Sequence, residues 1–224
     1  MKALAIDSAA TCMVIAAKND DDKATLSLDI SMKQSEKILP AIDFVLQETG
    51  LNPADLDYTA ISKGPGTFTG LRLGFSALKA LSLSHNIPLY GIPTMDAYAY
   101  PYADFGGAVV SVIDAKKDQF FAAIYRGGKE CMEPKDTNTE EVLKNLDAEE
   151  SVLIVGQNAD VFAEMLRSLA PTLDIRCFKF QLPATDALFS LAEEKIAKKE
   201  APLEDYDGPE YMRKSEAEIA LERK

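Results

Sequence analysis

Ile6-Asp7-Ser8, followed after a short gap by Met13-Val14-Ile15-Ala16, has an echo in the second half of the chain: Ile113-Asp114-Ala115, then Phe120-Phe121-Ala122-Ala123. In each copy an apolar run ends on an aspartate and a second run begins a few residues later. That is the pattern of two buried strands joined by a hairpin. Working outward from the first copy, Leu26, Leu28 and Ile30 alternate with polar residues as a third strand should, so residues 3–30 read as an antiparallel meander. A helix follows, with Ser31 and Gln34 spaced as a capping box, apolar positions at Ile38, Leu39, Ile42, Val45 and Leu46, and Gly50 as its stop. Pro40 should kink this helix or mark its true first turn. A strand at 58–62, a helix at 71–84 and a strand at 89–92 complete the order βββαβαβ.

After Pro101 the order begins again. Strands are expected at 108–113, 120–125 and about 129–132, a helix at 139–146, a strand at 152–155, a helix at 159–169 and a strand near 175–178. A match of motif and of element order together marks a tandem repeat. Two βββαβαβ units, each a mixed sheet flanked by helices (the RNase H-like plan), are the architecture of the actin, hexokinase and Hsp70 (ASKHA) superfamily. The expected organisation is a first domain over residues 1–103 and a second over 104–205, the latter including a helix at 186–199. A C-terminal segment, 206–224, can dock back on the first domain.

The stretch Gly64-Pro65-Gly66-Thr67-Phe68-Thr69-Gly70-Leu71-Arg72-Leu73-Gly74 turns the chain from strand to helix. Gly64 and Gly66 flank a residue of fixed φ, which allows a sharp turn and close approach of another group, and Thr67 or Thr69 can cap the helix. Four readings compete: phosphate cradle, dinucleotide fingerprint, helix-packing contact and plain turn. Spacing removes the fingerprints. A P-loop needs a lysine directly after its last glycine, and the first cation after Gly70 is Arg72, two residues beyond it. A dinucleotide fingerprint needs G-x-G-x-x-G with an acid about 20 residues on; the spacing here is G-x-G-x-x-x-G, with no acid between Asp57 and Asp96.

Composition narrows the function classes. The chain has 224 residues, 36 acids against 24 bases and a net charge of −12. Its largest basic groupings are pairs such as Lys198-Lys199 and Arg213-Lys214, so it lacks the cations that autonomous binding to a phosphate backbone requires. Three widely separated cysteines, Cys12, Cys131 and Cys177, read as reduced residues of a cytoplasmic protein. No signal peptide or membrane span is expected. The single histidine, His85, ends a helix and fits a C-terminal cation or turn residue, so neither a catalytic triad nor a histidine metal cluster can be assembled.

Nucleotide-using members of the superfamily grip phosphates with glycine-bearing hairpins after the two strand-end acids. Here those acids are Asp7 and Asp114, but Ala9 and Ala10 occupy the first hairpin and Lys116-Lys117 the second. Only Gly156 stands where an adenosine-facing glycine pair is expected, before Gln157-Asn158. The cleft residues Asp7, Asp114 and Gly156 therefore read as remnants, with the two acids capping turns.

The glycine segment, the opening A-I-D-S-A, I-L-P at 38–40, I-D-A-K-K-D-Q-F-F-A-A-I-Y at 113–125 and P-E-Y-M-R at 209–213 resemble the bacterial TsaB (YeaZ) family nearly end to end. The resemblance implies a noncatalytic dimerisation subunit of the complex that adds threonylcarbamoyl to N6 of adenosine 37 in tRNAs reading codons that begin with A (the t6A modification). It implies neither a catalytic residue nor a metal. The related catalytic subunit TsaD holds a metal through paired histidines in its first long helix, and the matching stretch here is Lys33-Gln34-Ser35-Glu36-Lys37. The implied partners are TsaD, a TsaE-type ATPase, a second copy of the chain when TsaD is absent, and tRNA only through the complex, with no membrane. The implied cofactor is none, apart from residual ATP or ADP at a subunit junction. The implied contact is a four-helix one through the first domain's two helices, where Gly70, Gly74 and Ala77 form a strip of small residues beside Leu73, Leu81 and Ser84. Ile38, Leu39, Ile42, Val45 and Leu46 make the first helix's apolar face, and Leu71, Phe75 and Leu78 are left to cover the sheet; from the residues alone, the alternative is that all of these positions are simply core. The rival reading is an actin-like ATPase or small-molecule kinase using Asp7 and Asp114.

Overall fold

The computed structural model describes residues 1–30, 33–116, 118–178 and 182–213. Ser31 of the expected capping box, Lys117 and Lys214 lie outside them. The described residues divide into two compact units: Met1–Ala97 with Pro183–Pro209, and Tyr98–Leu182 with 210–213.

The first unit is built on strands β1 (Lys2–Asp7), β2 (Met13–Asn19), β3 (Asp22–Leu28), β4 (Tyr58–Gly64) and β5 (Leu89–Pro93). Their order in the sheet is β3-β2-β1-β4-β5. β1 pairs antiparallel with β2 and parallel with β4, as a meander followed by crossover helices requires. Alternation along the strands divides the side chains between two faces. Leu4, Ile6, Met13, Ile15, Ile61 and Leu89 pack with helices α1 (Gln34–Glu48) and α2 (Phe68–His85) into one apolar core. On the opposite face of the sheet lie Lys18 and the buried Tyr58, bonded to α6 (Thr185–Ala197): the Tyr58 hydroxyl donates to Glu193 Oε1 at 3.1 Å, and Lys18 pairs with the same carboxylate. Burial and then Glu193's charge push the Tyr58 phenol well above its usual pKa, so it stays a donor.

The second unit repeats the plan with β6 (Ala108–Asp114), β7 (Phe120–Arg126), β8 (Lys129–Thr137), β9 (Ser151–Gly156) and β10 (Asp174–Cys177), ordered β10-β9-β6-β7-β8. Helices α4 (Thr139–Leu143) and α5 (Ala159–Leu169) cover one face, with Val142, Phe162 and Leu166 fully buried. Gly127 and Gly128, both at positive φ, make the two-residue turn from β7 to β8.

Three expectations change. The domain boundary at 103/104 and a second domain running to 205 give way to a discontinuous first unit. The sequence pattern shows that α6 is amphipathic but not which sheet it covers, and α6 returns to the first. The segment after it docks there too: Leu203 N–H donates to the Leu89 carbonyl at 2.8 Å along the β5 edge, and Lys79 Nζ donates to the carbonyls of Glu204 and Asp205. The expected docking of 206–224 on the first domain holds only as far as Pro209: the described residues after it, 210–213, belong to the second unit, where Arg213 pairs with Asp136 and donates to the Ala115 carbonyl. A short helix not expected from the sequence, α3 (Thr94–Ala99), follows β5. Pro40 lies inside α1, and Gly50 ends that helix at φ 66°.

Candidate functional site

In the first unit the glycine segment closes onto the hairpin after Asp7. Thr67 N–H donates to the Ala9 carbonyl at 2.7 Å, and Gly64 N–H donates to Thr94 Oγ1 at 3.1 Å. Gly64 sits at φ 123°, which a side chain would not tolerate. A Cβ on Gly66 would lie 2.6 Å from the Ala9 carbonyl oxygen, so this glycine exists to let the loop touch the hairpin. The segment packs on its own unit's hairpin, and the Ala9 carbonyl takes the Thr67 N–H that a phosphate oxygen would need. Thr67 occupies the N-cap position, but its hydroxyl makes no capping bond, and Thr69 lies within α2. Pro65 is buried, whereas Arg72 is exposed with its guanidinium 3.8 Å from the Phe68 ring centroid.

The strand-end acids are engaged locally. Asp7 is 3% exposed; its Oδ1 accepts from Ser62 Oγ at 2.8 Å and from Ala9 N–H at 3.2 Å. Asp114 accepts from Lys116 N–H at 2.7 Å, from Lys116 Nζ at 2.8 Å and from Asn158 Nδ2 at 3.1 Å. Burial raises the Asp114 pKa, but the Lys116 hydrogen bonds outweigh it and hold the carboxyl below its usual value. Gly156 stands at φ 102°, and a Cβ there would lie 2.2 Å from the Val112 carbonyl, so it serves contact between β9 and β6. Ser62 and Asn158, the partners of the two acids, were not singled out by sequence; both are ordinary polar residues at strand or helix ends. Among the described residues no group of three or more His, Cys, Asp or Glu side chains gathers as metal ligands would.

The expected helix-contact residues divide differently from the reading above. Gly70 and Gly74 face their own unit: a Cβ on Gly70 would lie 2.1 Å from the Ser8 carbonyl oxygen, and one on Gly74 2.3 Å from Ser8 Oγ. The small strip therefore admits the hairpin rather than a foreign helix. Ile38, Ile42, Val45, Leu46 and Ala77 belong to the unit's core, and Leu81 packs against it partly buried. Only Leu39 points outward, 63% exposed. Sequence reading missed Phe44, 47% exposed on α1, and Leu83, 64% exposed on α2. Helical phase held the signal, because positions 38, 41, 42, 45 and 46 form one buried stripe and leave 39, 40, 43, 44 and 47 opposite it. On α2 the exposed positions include Ser76 and Ala80, with the partly buried Leu73 beside them. The outward faces of these two neighbouring helices thus carry exposed apolar side chains, Leu39 and Phe44 on α1 and Leu83 on α2, that the unit's own core does not use.

A family model described as TsaD, tRNA N6-adenosine threonylcarbamoyltransferase, matches residues 29–221. The chain is 28% identical to the tRNA threonylcarbamoyladenosine biosynthesis protein TsaB of Bacillus subtilis, over 97% of this chain and 96% of that protein. It is 25% identical to the protein of the same name from Escherichia coli, with the same coverage. The solved structure of YeaZ from Pseudomonas aeruginosa superposes with a TM-score of 0.75 at 21% identity, covering 94% of this chain and 99% of that one, and so shares the fold. The two units thus carry the actin-like fold expected from the repeat. With 97% of its length aligned to the TsaB proteins, the chain belongs to the threonylcarbamoyltransferase family that the TsaD model describes, in the TsaB (YeaZ) group involved in t6A biosynthesis.

Proposed function

We propose that this protein is the noncatalytic scaffold of the t6A machinery, binding a TsaD-type catalytic paralogue through the outward faces of α1 and α2. The observation that carries the reading is the exposure of Leu39, Phe44 and Leu83 on adjacent helices whose buried faces already complete the unit's core. Exposed apolar side chains gathered on one surface mark an interaction site. Ser76 and Ala80 lie on the same side of α2 and leave room for a partner's helix to approach. The noncatalytic part is supported by the engagement of Asp7 and Asp114 with the protein's own donors. Threonylcarbamoyl transfer to adenosine 37 then belongs to the paralogue. The same face accounts for self-pairing when that subunit is missing, and a TsaE-type ATPase joins the assembled complex in the cytoplasm. tRNA is met through the complex, in keeping with the net charge of −12.

The test is co-purification of tagged TsaD with Phe44→Glu and Leu83→Glu variants. Both positions are solvent-facing, so folding should change by less than about 0.5 kcal/mol. A charge in the centre of an apolar contact should abolish capture. Undiminished capture by both variants would refute this placement of the interface.

A further inference from the structure

A cleft of about 460 Å³ opens on the second unit. It is lined by Leu153 of β9 and by Pro101, Tyr102 and Phe105 from the segment after α3. Phe178, just past β10, lines it too and stacks on Tyr102 with centroids 5.7 Å apart and planes 21° from parallel. Asp104 also lines the cleft; its side chain is exposed, and among the described residues no hydrogen bond or ion pair engages its carboxylate. The other charged group there, Arg176, is committed to Asp174, with Nη2 2.7 Å from Oδ2, and contributes no free positive charge. Among the described residues the result is an aromatic and apolar hollow with one uncompensated negative charge.

We propose that this cleft receives an arginine side chain from a basic segment of a partner protein, its guanidinium laid against the aromatic side chains and paired with Asp104. The volume lies within the range of about 300–1,000 Å³ typical of sites for small groups. A guanidinium is the cation that fits both features, because it is flat enough to stack on a ring and presents a planar fork to a carboxylate. A lysine ammonium would meet the charge without the flat contact. An unstacked nucleobase could also stack and donate to Asp104, but its phosphates would approach an unpaired carboxylate on a chain of net charge −12. Charge therefore selects the cationic protein segment over RNA. This surface belongs to the second unit and does not depend on the α1 and α2 faces.

The test titrates isotope-labelled full-length protein by NMR with acetyl-argininamide, its uncharged citrulline counterpart, tetramethylammonium, adenosine monophosphate and an eight-residue peptide with a central arginine flanked by glycines. The expected result is saturable shifts around Tyr102, Phe105 and Leu153 for the arginine probe, with at least five-fold weaker binding of citrulline. The peptide should bind at least as tightly as the amide. Asp104→Asn should weaken the arginine probe at least five-fold while leaving the rest of the spectrum in place, and Tyr102→Leu should do the same. Absence of saturable shifts at the cleft, equal affinity for citrulline, or full affinity in Asp104→Asn would overturn the proposal. Tighter binding of tetramethylammonium or of adenosine monophosphate than of the arginine probe would assign the cleft to a small cation or a nucleotide, and would equally overturn it.

Discussion

Replacing Gly70 by alanine separates the two roles this glycine can play, because they change stability in opposite directions. Gly70 lies inside α2, where alanine is intrinsically favoured by about 0.8–1.0 kcal/mol. If the position faced solvent or a partner's helix, Gly70→Ala would raise the melting temperature of the isolated protein. In the structure an added Cβ meets the Ser8 carbonyl oxygen at 2.1 Å and Thr67 Oγ1 at 2.6 Å. Non-bonded heavy atoms prefer roughly 3.5 Å or more, so helix and hairpin would have to part by about 1.4 Å. Overpacking of this kind costs about 1–3 kcal/mol, and a clash with backbone belongs at the upper end. Subtracting the propensity gain leaves a net loss of about 2 kcal/mol, or roughly 4–8 °C for a chain of this size. Thermal unfolding followed by circular dichroism measures it directly. Gly74→Ala should cost less, because its Cβ meets the rotatable Ser8 hydroxyl at 2.3 Å instead of a carbonyl. A melting temperature raised by Gly70→Ala would refute the inward placement of this strip.

Two further outcomes follow from contacts in the second unit. Burial pushes the Glu150 pKa up, but hydrogen bonds from Arg126 and the Asp147 N–H outweigh it and hold the carboxyl below its ordinary value. A carboxylate depressed in the folded state contributes stability above its unfolded pKa and loses it as pH falls through the folded one. Glu150→Gln should therefore cost about 1–2 kcal/mol at neutral pH, at the modest end because Arg126 is about a third exposed. The gap from wild type should begin to close near about pH 4.3, read by urea denaturation across pH; a pH-independent gap would contradict it. Arg213→Ala removes the pairing with Asp136, the donation to the Ala115 carbonyl and the guanidinium 5.6 Å from the Phe121 ring centroid. Amide exchange should quicken at the end of β8 and in the β6–β7 turn and remain unchanged in β1–β5; uniform or absent acceleration would show that Arg213 does not hold the hairpin.

The repeated architecture was legible because each strand-end aspartate is bracketed by apolar runs whose alternation survives in the sheets. The sheet order matches between units because the two crossover helices fall at matching places. Two kinds of information were not legible. The first is long-range contact: nothing in the spacing of Gly70 and Gly74 announces that Ser8 rests on them, so a strip made small for the protein's own hairpin looks like one made small for a partner. The second is the path of α6, whose amphipathic pattern is the same whichever sheet it covers, so that a linear reading placed it with the nearer domain. The outward face was partly legible, since Leu39 was found; counting all five apolar residues as one broad stripe hid the boundary that leaves Phe44 on the other side.

Whether this protein contributes a surface rather than chemistry is decided by reconstituted threonylcarbamoyl transfer with TsaD. The Asp7→Asn, Asp114→Asn double variant keeps one acceptor oxygen at each position, enough for Ser62 and Ala9 at the first and for the Lys116 N–H at the second, and should support transfer at the wild-type rate while Phe44→Glu with Leu83→Glu does not. Loss of transfer in the aspartate variant, with the helix-face variant still active, would contradict the account.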